Sequence, residues 1–229
     1  MLLSIIRQNQ KLAAKRNPAF DRNRFAKFLI YFMVAFWAAY LIFIGVMLSF
    51  AFEDIFPSME PYHIMNQGLI YLLILDFLLR FMLQPAMSQE IKPYLLMPVK
   101  KNKLVDTLLL QSGISSYNFF WFFLIIPFAL LTIIRFYGLT GILCYLCGIW
   151  LLMVMNSYWY LICKTLLNEK LLYILLPIGV YGLLAGAEFI PEGNPVSTFM
   201  MNLGEGFIEG NILAFLGVIA AILLLLLVN

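Results

Sequence analysis

The chain has 229 residues, of which 63% are hydrophobic and only 12% are charged, and its formal net charge is +3. A soluble domain has about 45–50% apolar and about 25% charged residues. The composition therefore excludes an ordinary soluble domain and predicts an all-α, polytopic membrane protein.

Residues 1–24 predict an amphipathic helix that lies on the cytoplasmic membrane surface. Arg7, Lys11 and Lys15 recur every four residues, so a helix places them on one face. Apolar side chains fall mostly on the other face, which suits an interfacial helix beside anionic lipid. Asn17-Pro18 ends this helix. A merely solvated basic tail is the alternative that the sequence leaves open.

Residues 25–229 predict one domain of six transmembrane helices. The first apolar run, residues 28–50, carries no charge, and its 23 residues span roughly 34 Å as a helix, which is enough to cross a bilayer. Five further apolar runs follow it. The predicted spans are residues 28–50, 64–83, 107–134, 139–163, 171–190 and 211–228.

The second predicted span contains two charged residues, Asp76 and Arg80. Their i,i+4 spacing lets them pair along one helix face. Charges inside a membrane span are functional candidates by default. Arg80 is also near the end of the span, where its side chain could snorkel to the interface while Asp76 neutralises it. We favour a structural pair, and a role in conformational change stays open.

A basic loop separates the second and third spans. Its first part is apolar, Pro98 ends or kinks a helix, and three lysines follow at Lys100, Lys101 and Lys103. Lysines are costly in hydrocarbon, so this loop is held at one membrane face. The simplest prediction is a short surface helix followed by a basic turn.

Residues 188–210 form the longest predicted loop between the later spans. It contains four glutamates, two prolines and an apolar island at residues 196–203 that is too short to span a bilayer. The island either dips into the membrane as a re-entrant hairpin or belongs to an ordinary interfacial loop, and the sequence leaves both open.

The sequence predicts no catalytic residue, metal site or bound cofactor. Cys144 and Cys147 form a C-x2-C pair, but no second pair or histidine cluster completes a zinc site, so we expect free thiols. His63 starts the second span without an evident partner in sequence and is interpreted as a surface residue.

The distribution of basic residues predicts the orientation. With the N-terminus in the cytoplasm and six spans, 14 of the 15 lysines and arginines fall on the cytoplasmic side, and Arg135 is the exception. The acidic loops then all lie outside. This bias follows the positive-inside rule and places the basic loop in the cytoplasm.

This layout resembles the ABC-2 type (type V) ABC transporter permeases. The local match is the run of apolar residues, Pro-Val and a basic cluster from Leu95 to Val105. The sequence departs from the family pattern where Val105-Asp106 follows the cluster, since many members continue with Gly or a basic residue. The interfacial N-terminal helix and the outer hairpin before the last span also match.

The resemblance implies a cytoplasmic coupling helix in the basic loop that docks on a separate ABC ATPase subunit. It further implies a second permease copy or homologue as dimer partner, contact with membrane lipids, no nucleic acid, and a location in the bacterial cytoplasmic (inner) membrane. ATP and Mg would be bound by the partner, because this chain has no G-x-x-x-x-G-K-[ST] motif. The residues that match the coupling loop are Tyr94, Leu95, Leu96, Pro98, Lys100, Lys101 and Lys103.

Other functional classes stay open. An integral-membrane enzyme or an assembly subunit of lipid or envelope metabolism is the main alternative, although an enzyme would need clustered Asp, His or Ser near one interface. A secondary transporter would need broken helices and polar groups near the midplane. Copurification with an ATPase would separate the permease from all of these.

Overall fold

The computed structural model describes residues 8, 9, 12, 24–84, 101–189 and 193–228, without the side chains of residues 24, 26, 101 and 102. Its regular structure is entirely helical within these ranges, which confirms the predicted all-α class. Two short 3-10 helices, Ser116–Phe119 and Leu171–Ile174, lie between the α-helices. The α-helices are α1 Arg24–Ile55, α2 Pro61–Gln67, α3 Leu69–Leu83, α4 Lys101–Gly113, α5 Phe122–Thr132, α6 Ile134–Glu169, α7 Leu175–Phe189, α8 Pro195–Ile208 and α9 Ile212–Val228.

In the part of the chain that the structure describes, three helical segments are each long and apolar enough to cross a membrane: Lys27–Ile55, Ile134–Glu169 and Leu171–Phe189. Three further pairs of segments in the described ranges reach that length only together, and each pair is bent. The bend is 48° between α2 and α3, 57° between Lys103–Phe119 and α5, and 114° between α8 and α9. The described chain is therefore a helical membrane protein with three to six candidate spans.

Helix α6 is the centre of the bundle. It packs against α3, α4, α5, α8 and α9, and most of its inward side is buried. Its first turn is separated from the rest by Gly138, whose φ of +62° breaks the helix between the third and fourth predicted spans. The helix then runs to Glu169, beyond the predicted end of the fourth span at residue 163, and so includes Lys164.

Helix α1 packs mainly on α5, through a close approach at Gly45. A Cβ at this position would lie 2.3 Å from the Leu124 carbonyl oxygen, so only glycine permits the contact. The opposite face of α1 is exposed along its length. It presents aromatic side chains such as Phe28, Phe32 and Phe36 in i,i+4 steps. Such a face suits contact with lipid.

The third apolar run is broken rather than continuous. Helix α4 ends at Gly113, and α5 begins at Phe122 after the 3-10 helix. The Asn118 side chain, fully buried, donates to the Gly113 carbonyl at 2.6 Å and to the Ser112 carbonyl at 3.2 Å. It thus replaces part of the hydrogen bonding that the α4 terminus loses. Backbone N–H and C=O groups outside a helix need such hydrogen-bond partners within the protein when they lie in the membrane core, because no water is available there.

Within the predicted loop of residues 188–210, residues 195–208 form helix α8, which meets α9 at 114°, and such a bent pair is either a broken span or a re-entrant element. Pro195 occupies the first turn, where it needs no backbone donor. The buried Glu188 carboxylate accepts hydrogen bonds from the Val196 and Ser197 backbone amides, both at 3.0 Å. A capping partner seven residues upstream of the helix start is not visible in the sequence pattern.

The two ends of the bundle carry opposite charge. The end with the α3 and α6 C-termini, which we call the lysine end, has Lys27, Lys103, Lys164 and Lys170 against the carboxylates Asp106 and Glu169, so its described side chains are positive on balance. The other end, which we call the acidic end, has Arg135 and the carboxylates Glu53, Asp54, Glu60, Glu188, Glu205 and Glu209. Arg135 there pairs with Glu53 at 2.9 Å.

Candidate functional site

The most polar part of the bundle interior is an ion pair on α3. The Arg80 Nε donates to Asp76 Oδ2 at 2.6 Å, over the i,i+4 spacing noted in the sequence. Asp76 is 3% exposed and Arg80 is 1% exposed. The guanidinium therefore stays inside the bundle and does not snorkel to the interface.

Two neutral side chains from other elements also donate hydrogen bonds to the Asp76 carboxylate. The Trp121 indole Nε1 donates to Asp76 Oδ1 at 2.8 Å, and the Asn156 amide donates to Asp76 Oδ2 at 2.7 Å. Asn156 also donates to the Leu73 carbonyl at 2.9 Å. We call Asp76, Arg80, Trp121 and Asn156 the Asp76 cluster. Burial of a carboxylate is tolerable only with such compensation.

The cluster joins three elements. Asp76 and Arg80 belong to α3, Asn156 lies in α6, and Trp121 is the residue that precedes α5 after the break. Because one carboxylate holds all three by charge-assisted hydrogen bonds, a movement of α5 against α3 or α6 must change this site. The arrangement suits a polar junction in a helical bundle better than acid–base chemistry, since both Asp76 oxygens already accept hydrogen bonds.

A second polar contact ties the end of α3 to α6. The Lys164 ammonium donates to the Phe81 carbonyl at 2.5 Å and to the Gln84 carbonyl at 3.1 Å. It also lies 4.7 Å from the centre of the Phe81 ring. The Tyr160 hydroxyl donates to the same Gln84 carbonyl at 2.7 Å. These bonds fix the point at which the chain leaves α3 toward the predicted coupling loop.

A cavity of about 610 Å³ lies beside the helix break, between α1 and α5. The lining is mostly aromatic, as expected for a groove that faces lipid. The lining residues are Val34, Ser116, Tyr117, Phe119, Phe120, Phe122, Phe123 and Ile126.

At the acidic end, α8 is joined to α2 by polar contacts. His63 Nδ1 hydrogen-bonds the Glu205 carboxylate, and both side chains are about one quarter exposed, at 28% and 26%. Nearby, the Tyr145 hydroxyl donates to Asn66 Oδ1 at 2.9 Å. Gly204 lies directly against Asn66, where a Cβ would come within 2.3 Å of the amide carbon. His63 thus has a carboxylate partner that the sequence does not show.

The described residues contain no group of three or more His, Cys, Asp or Glu side chains that could hold a metal ion. Cys144, Cys147 and Cys163 are free thiols.

A family model covers nearly the whole sequence. It is described as a family of unknown function (DUF5687), and it matches residues 10–229. The chain belongs to this family. No curated protein matches the chain. No solved structure matches it either. The DUF5687 description names no activity, so the likeness to ABC-2 type permeases stays a prediction.

Several predicted site residues of this DUF5687 chain lie outside the described residues. They are Arg7, Lys11 and Lys15 of the interfacial helix, and Tyr94, Leu95, Leu96, Pro98 and Lys100 of the coupling loop. The remaining two loop residues begin α4. Lys101 is its first residue, and Lys103 is exposed in its first turn.

Sequence reasoning missed Trp121, Asn156 and Glu205 as members of polar sites. Asn156 stands in the long apolar run of α6, and an amide at such a position needs an internal partner, so it carried a detectable signal. Trp121 stands among four phenylalanines at residues 119–123, a pattern that indicates aromatic packing, and the indole N–H is the only polar feature of its side chain. Glu205 lies 142 residues from His63, and spacing in the chain gives no hint of that pair.

Proposed function

We propose that this chain is the transmembrane permease subunit of an ABC exporter, coupled to ATP hydrolysis by a separate ATPase subunit. In this proposal the N-terminus is cytoplasmic, the membrane is the bacterial inner membrane, and a second permease copy or homologue completes the dimer. ATP and Mg bind the partner, and this chain has no enzymatic activity of its own. The proposal rests on the sequence layout and on one mechanical feature of the bundle.

That feature is α4, which connects the predicted coupling loop directly to the helix break. It begins at Lys101 and buries Leu104, Leu108 and Leu109 in the core. The Tyr158 hydroxyl of α6 donates to the Leu109 carbonyl at 3.1 Å. A displacement of the loop would therefore be carried by a packed helix to the break before Trp121, and so to the Asp76 cluster.

The charge separation between the two ends supports the proposed orientation. The positive-inside rule favours a cytoplasmic position for the lysine end. The loop between α3 and α4 leaves and re-enters the bundle at this end, through Gln84 and Lys101. In the proposed orientation an ATPase in the cytoplasm could reach it.

The roles within the loop follow from interface energetics. Buried apolar anchors dominate binding energy, whereas rim charges tune association rate and salt dependence. Tyr94, Leu95 and Leu96 are the proposed anchors, and Lys100, Lys101 and Lys103 the proposed rim. Pro98 separates the two groups and fixes the turn between them.

The deciding experiment compares two variants of the tagged full-length chain purified from its native membrane. Leu96→Asp would bury an unpaired charge in the ATPase interface, so we expect loss of ATPase copurification and of transport-linked hydrolysis. Lys101→Ala is the control, because an exposed pair is worth only about 0–1 kcal/mol. Membrane insertion of both variants is checked by protease protection.

If Leu96→Asp inserts normally and retains wild-type copurification and coupling, the loop is not a coupling element. If no ATPase with a phosphate-binding loop accompanies the wild-type chain, the permease proposal fails as a whole.

A further inference from the structure

The Arg80 side chain satisfies only part of its hydrogen-bonding capacity. Its Nε donates to Asp76, but Nη1 and Nη2 find no acceptor among the residues that the structure describes, although both atoms are buried. A guanidinium presents five N–H donors in a rigid planar fork, and the two terminal nitrogens carry four of them. A buried charged group with orphaned donors is costly, so this geometry needs a further acceptor.

Asp76 cannot serve as that acceptor without losing other bonds. Its Oδ2 accepts from Arg80 Nε and Asn156, and its Oδ1 accepts from Trp121. The hydrogen bond through Nε leaves the Nη1 and Nη2 fork free to bind a second group. Arg80 therefore binds Asp76 through Nε, and its Nη1 and Nη2 groups remain without an acceptor among the described residues.

The buried and half-buried charges around Arg80 are also unbalanced among the residues that the structure describes. Lys164 contacts the Phe81 and Gln84 carbonyls next to Arg80, and among the described residues it forms no ion pair with a carboxylate. Arg80 and Lys164 together contribute two positive charges, against one negative charge from Asp76. A ligand with at least one negative charge would neutralise the excess and supply acceptors for the guanidinium.

The position of Arg80 along α3 suggests which class of anion could reach it. It lies three residues before the end of α3 at Leu83, which is roughly 4.5 Å along the helix axis. The guanidinium itself is buried in the bundle, and the adjacent end of α3 would face the headgroup region if this helix spans a bilayer. Phosphate oxygens match the guanidinium fork in a bidentate manner.

We propose that Arg80, supported by Lys164, binds the phosphate group of a ligand at the lysine end of the bundle. The Nη1 and Nη2 fork holds two phosphate oxygens, while Asp76 orients the guanidinium through Nε. Two sources share this chemistry, a phospholipid headgroup and a soluble phosphate ester. The site belongs to the isolated chain, so it stands or falls independently of coupling to an ATPase.

The test uses the purified full-length chain in neutral detergent micelles and measures thermal unfolding during titration. One arm adds inorganic phosphate at constant ionic strength. The other adds phosphatidylglycerol, with phosphatidylcholine as the uncharged reference. We expect the anion to raise the Tm of the wild type, because a ligand that binds only the folded state stabilises it. A rise with phosphatidylglycerol alone assigns the site to a lipid headgroup, and a rise with phosphate alone assigns it to a soluble ester.

The specificity of the site is tested with Arg80→Lys, which keeps the charge but removes the fork. We expect the half-saturating concentration to rise at least about tenfold, the loss expected for a charge-assisted hydrogen bond. Arg135→Lys is the matched control at the acidic end, where the exposed side chain pairs with Glu53, and its half-saturation should equal that of the wild type. Lys164→Gln should also raise the half-saturating concentration. If Arg80→Lys does not fold, the result with Lys164→Gln tests the proposal in its place.

Two results would overturn the proposal. One is a wild-type Tm that neither probe raises. The other is equal stabilisation of the wild type, Arg80→Lys and Lys164→Gln, because that pattern assigns binding to surface lysines instead.

Discussion

At the scale of single residues, Asp76 and its donors explain how a full charge is kept inside the bundle. The Coulomb attraction to Arg80 and hydrogen bonds from Trp121 and Asn156 offset the loss of hydration. The net contribution of such a pair to stability is small, but removal of one partner is severe, because the other charge remains buried.

Asp76→Asn should therefore destabilise the protein strongly. The variant leaves Arg80 buried without its carboxylate, and the expected loss is about 3–5 kcal/mol in the free energy of unfolding. The double variant Asp76→Asn/Arg80→Gln removes both charges and should recover a large part of the loss. Denaturant unfolding in mixed micelles measures both. Equal stability of the single variant and the wild type would show that the pair carries no energetic coupling.

Trp121→Phe tests the link between the helix break and the cluster. The change keeps the aromatic ring but removes the Nε1 donor from Asp76, with an expected loss of about 1–3 kcal/mol. Trp37→Phe is the control, since Trp37 is 49% exposed on the face of α1 that points away from the bundle, whereas Trp121 is 4% exposed. The unfolding midpoints of the two variants should differ clearly. Identical midpoints would mean that the indole bond adds nothing.

The sequence indicates part of this site and not the rest, for a simple reason. The pairing of Asp76 with Arg80 is a local consequence of helical spacing, and a four-residue interval reveals it. Trp121 and Asn156 are 45 and 80 residues from Asp76 in the chain, and only the packing of three helices brings them together. The direction of the Arg80 fork also depends on tertiary packing.

At the scale of helices, close approach through glycine decides how α8 fits the bundle. Phe207 of α8 is fully buried against Gly148 of α6, and a Cβ at Gly148 would lie 2.2 Å from the Phe207 ring. The contact holds the C-terminal end of α8 inside the bundle, next to the central helix. Sequence spacing does not indicate this contact, because neither residue is unusual for its own segment.

Gly148→Ala should displace α8. The added methyl group overlaps the Phe207 ring, and overpacking of this kind costs about 1–3 kcal/mol. Gly179→Ala in α7 is the matched control, because no atom lies within 4 Å of its Cβ position and alanine favours a helix. Thermal unfolding should show a lower Tm for the first variant only. A wild-type Tm for Gly148→Ala would mean that α8 does not pack on α6 in this way.

The apolar runs in the sequence predict reliably that a helix is present, but they do not predict where a helix is interrupted. The last predicted span, residues 211–228, nearly coincides with α9, since a run of seventeen residues without a polar or charged side chain allows little else. The third predicted span, residues 107–134, contains a break between α4 and α5 that the apolar run does not predict. The sequence has Gly113, Ser115 and Asn118 at this break. Such residues also occur in unbroken membrane helices, so composition alone does not separate the two cases.

At the scale of the whole molecule, the segregation of charge makes the proposed orientation testable. Cysteines introduced at Ser58 and Asn194, both exposed at the acidic end, should react with an impermeant thiol reagent from outside intact cells. A cysteine at Asn102, at the start of α4, should not react. The three native cysteines are first replaced by serine or alanine. Labelling of the Asn102 position in intact cells would contradict the cytoplasmic placement of the lysine end.

The long-range pairs have a consequence for synthesis on the ribosome. His63 meets Glu205 only after 142 further residues have been added, which takes roughly 7–28 s at about 5–20 residues per second. Asn156 is synthesised 80 residues after Asp76, which corresponds to roughly 4–16 s at the same rate. During that interval the nascent α2 and α3 present unsatisfied polar groups. Their retention in the bilayer must then depend on the insertion machinery, and a ribosome that stalls before Asn156 would leave a chain suited to quality-control degradation.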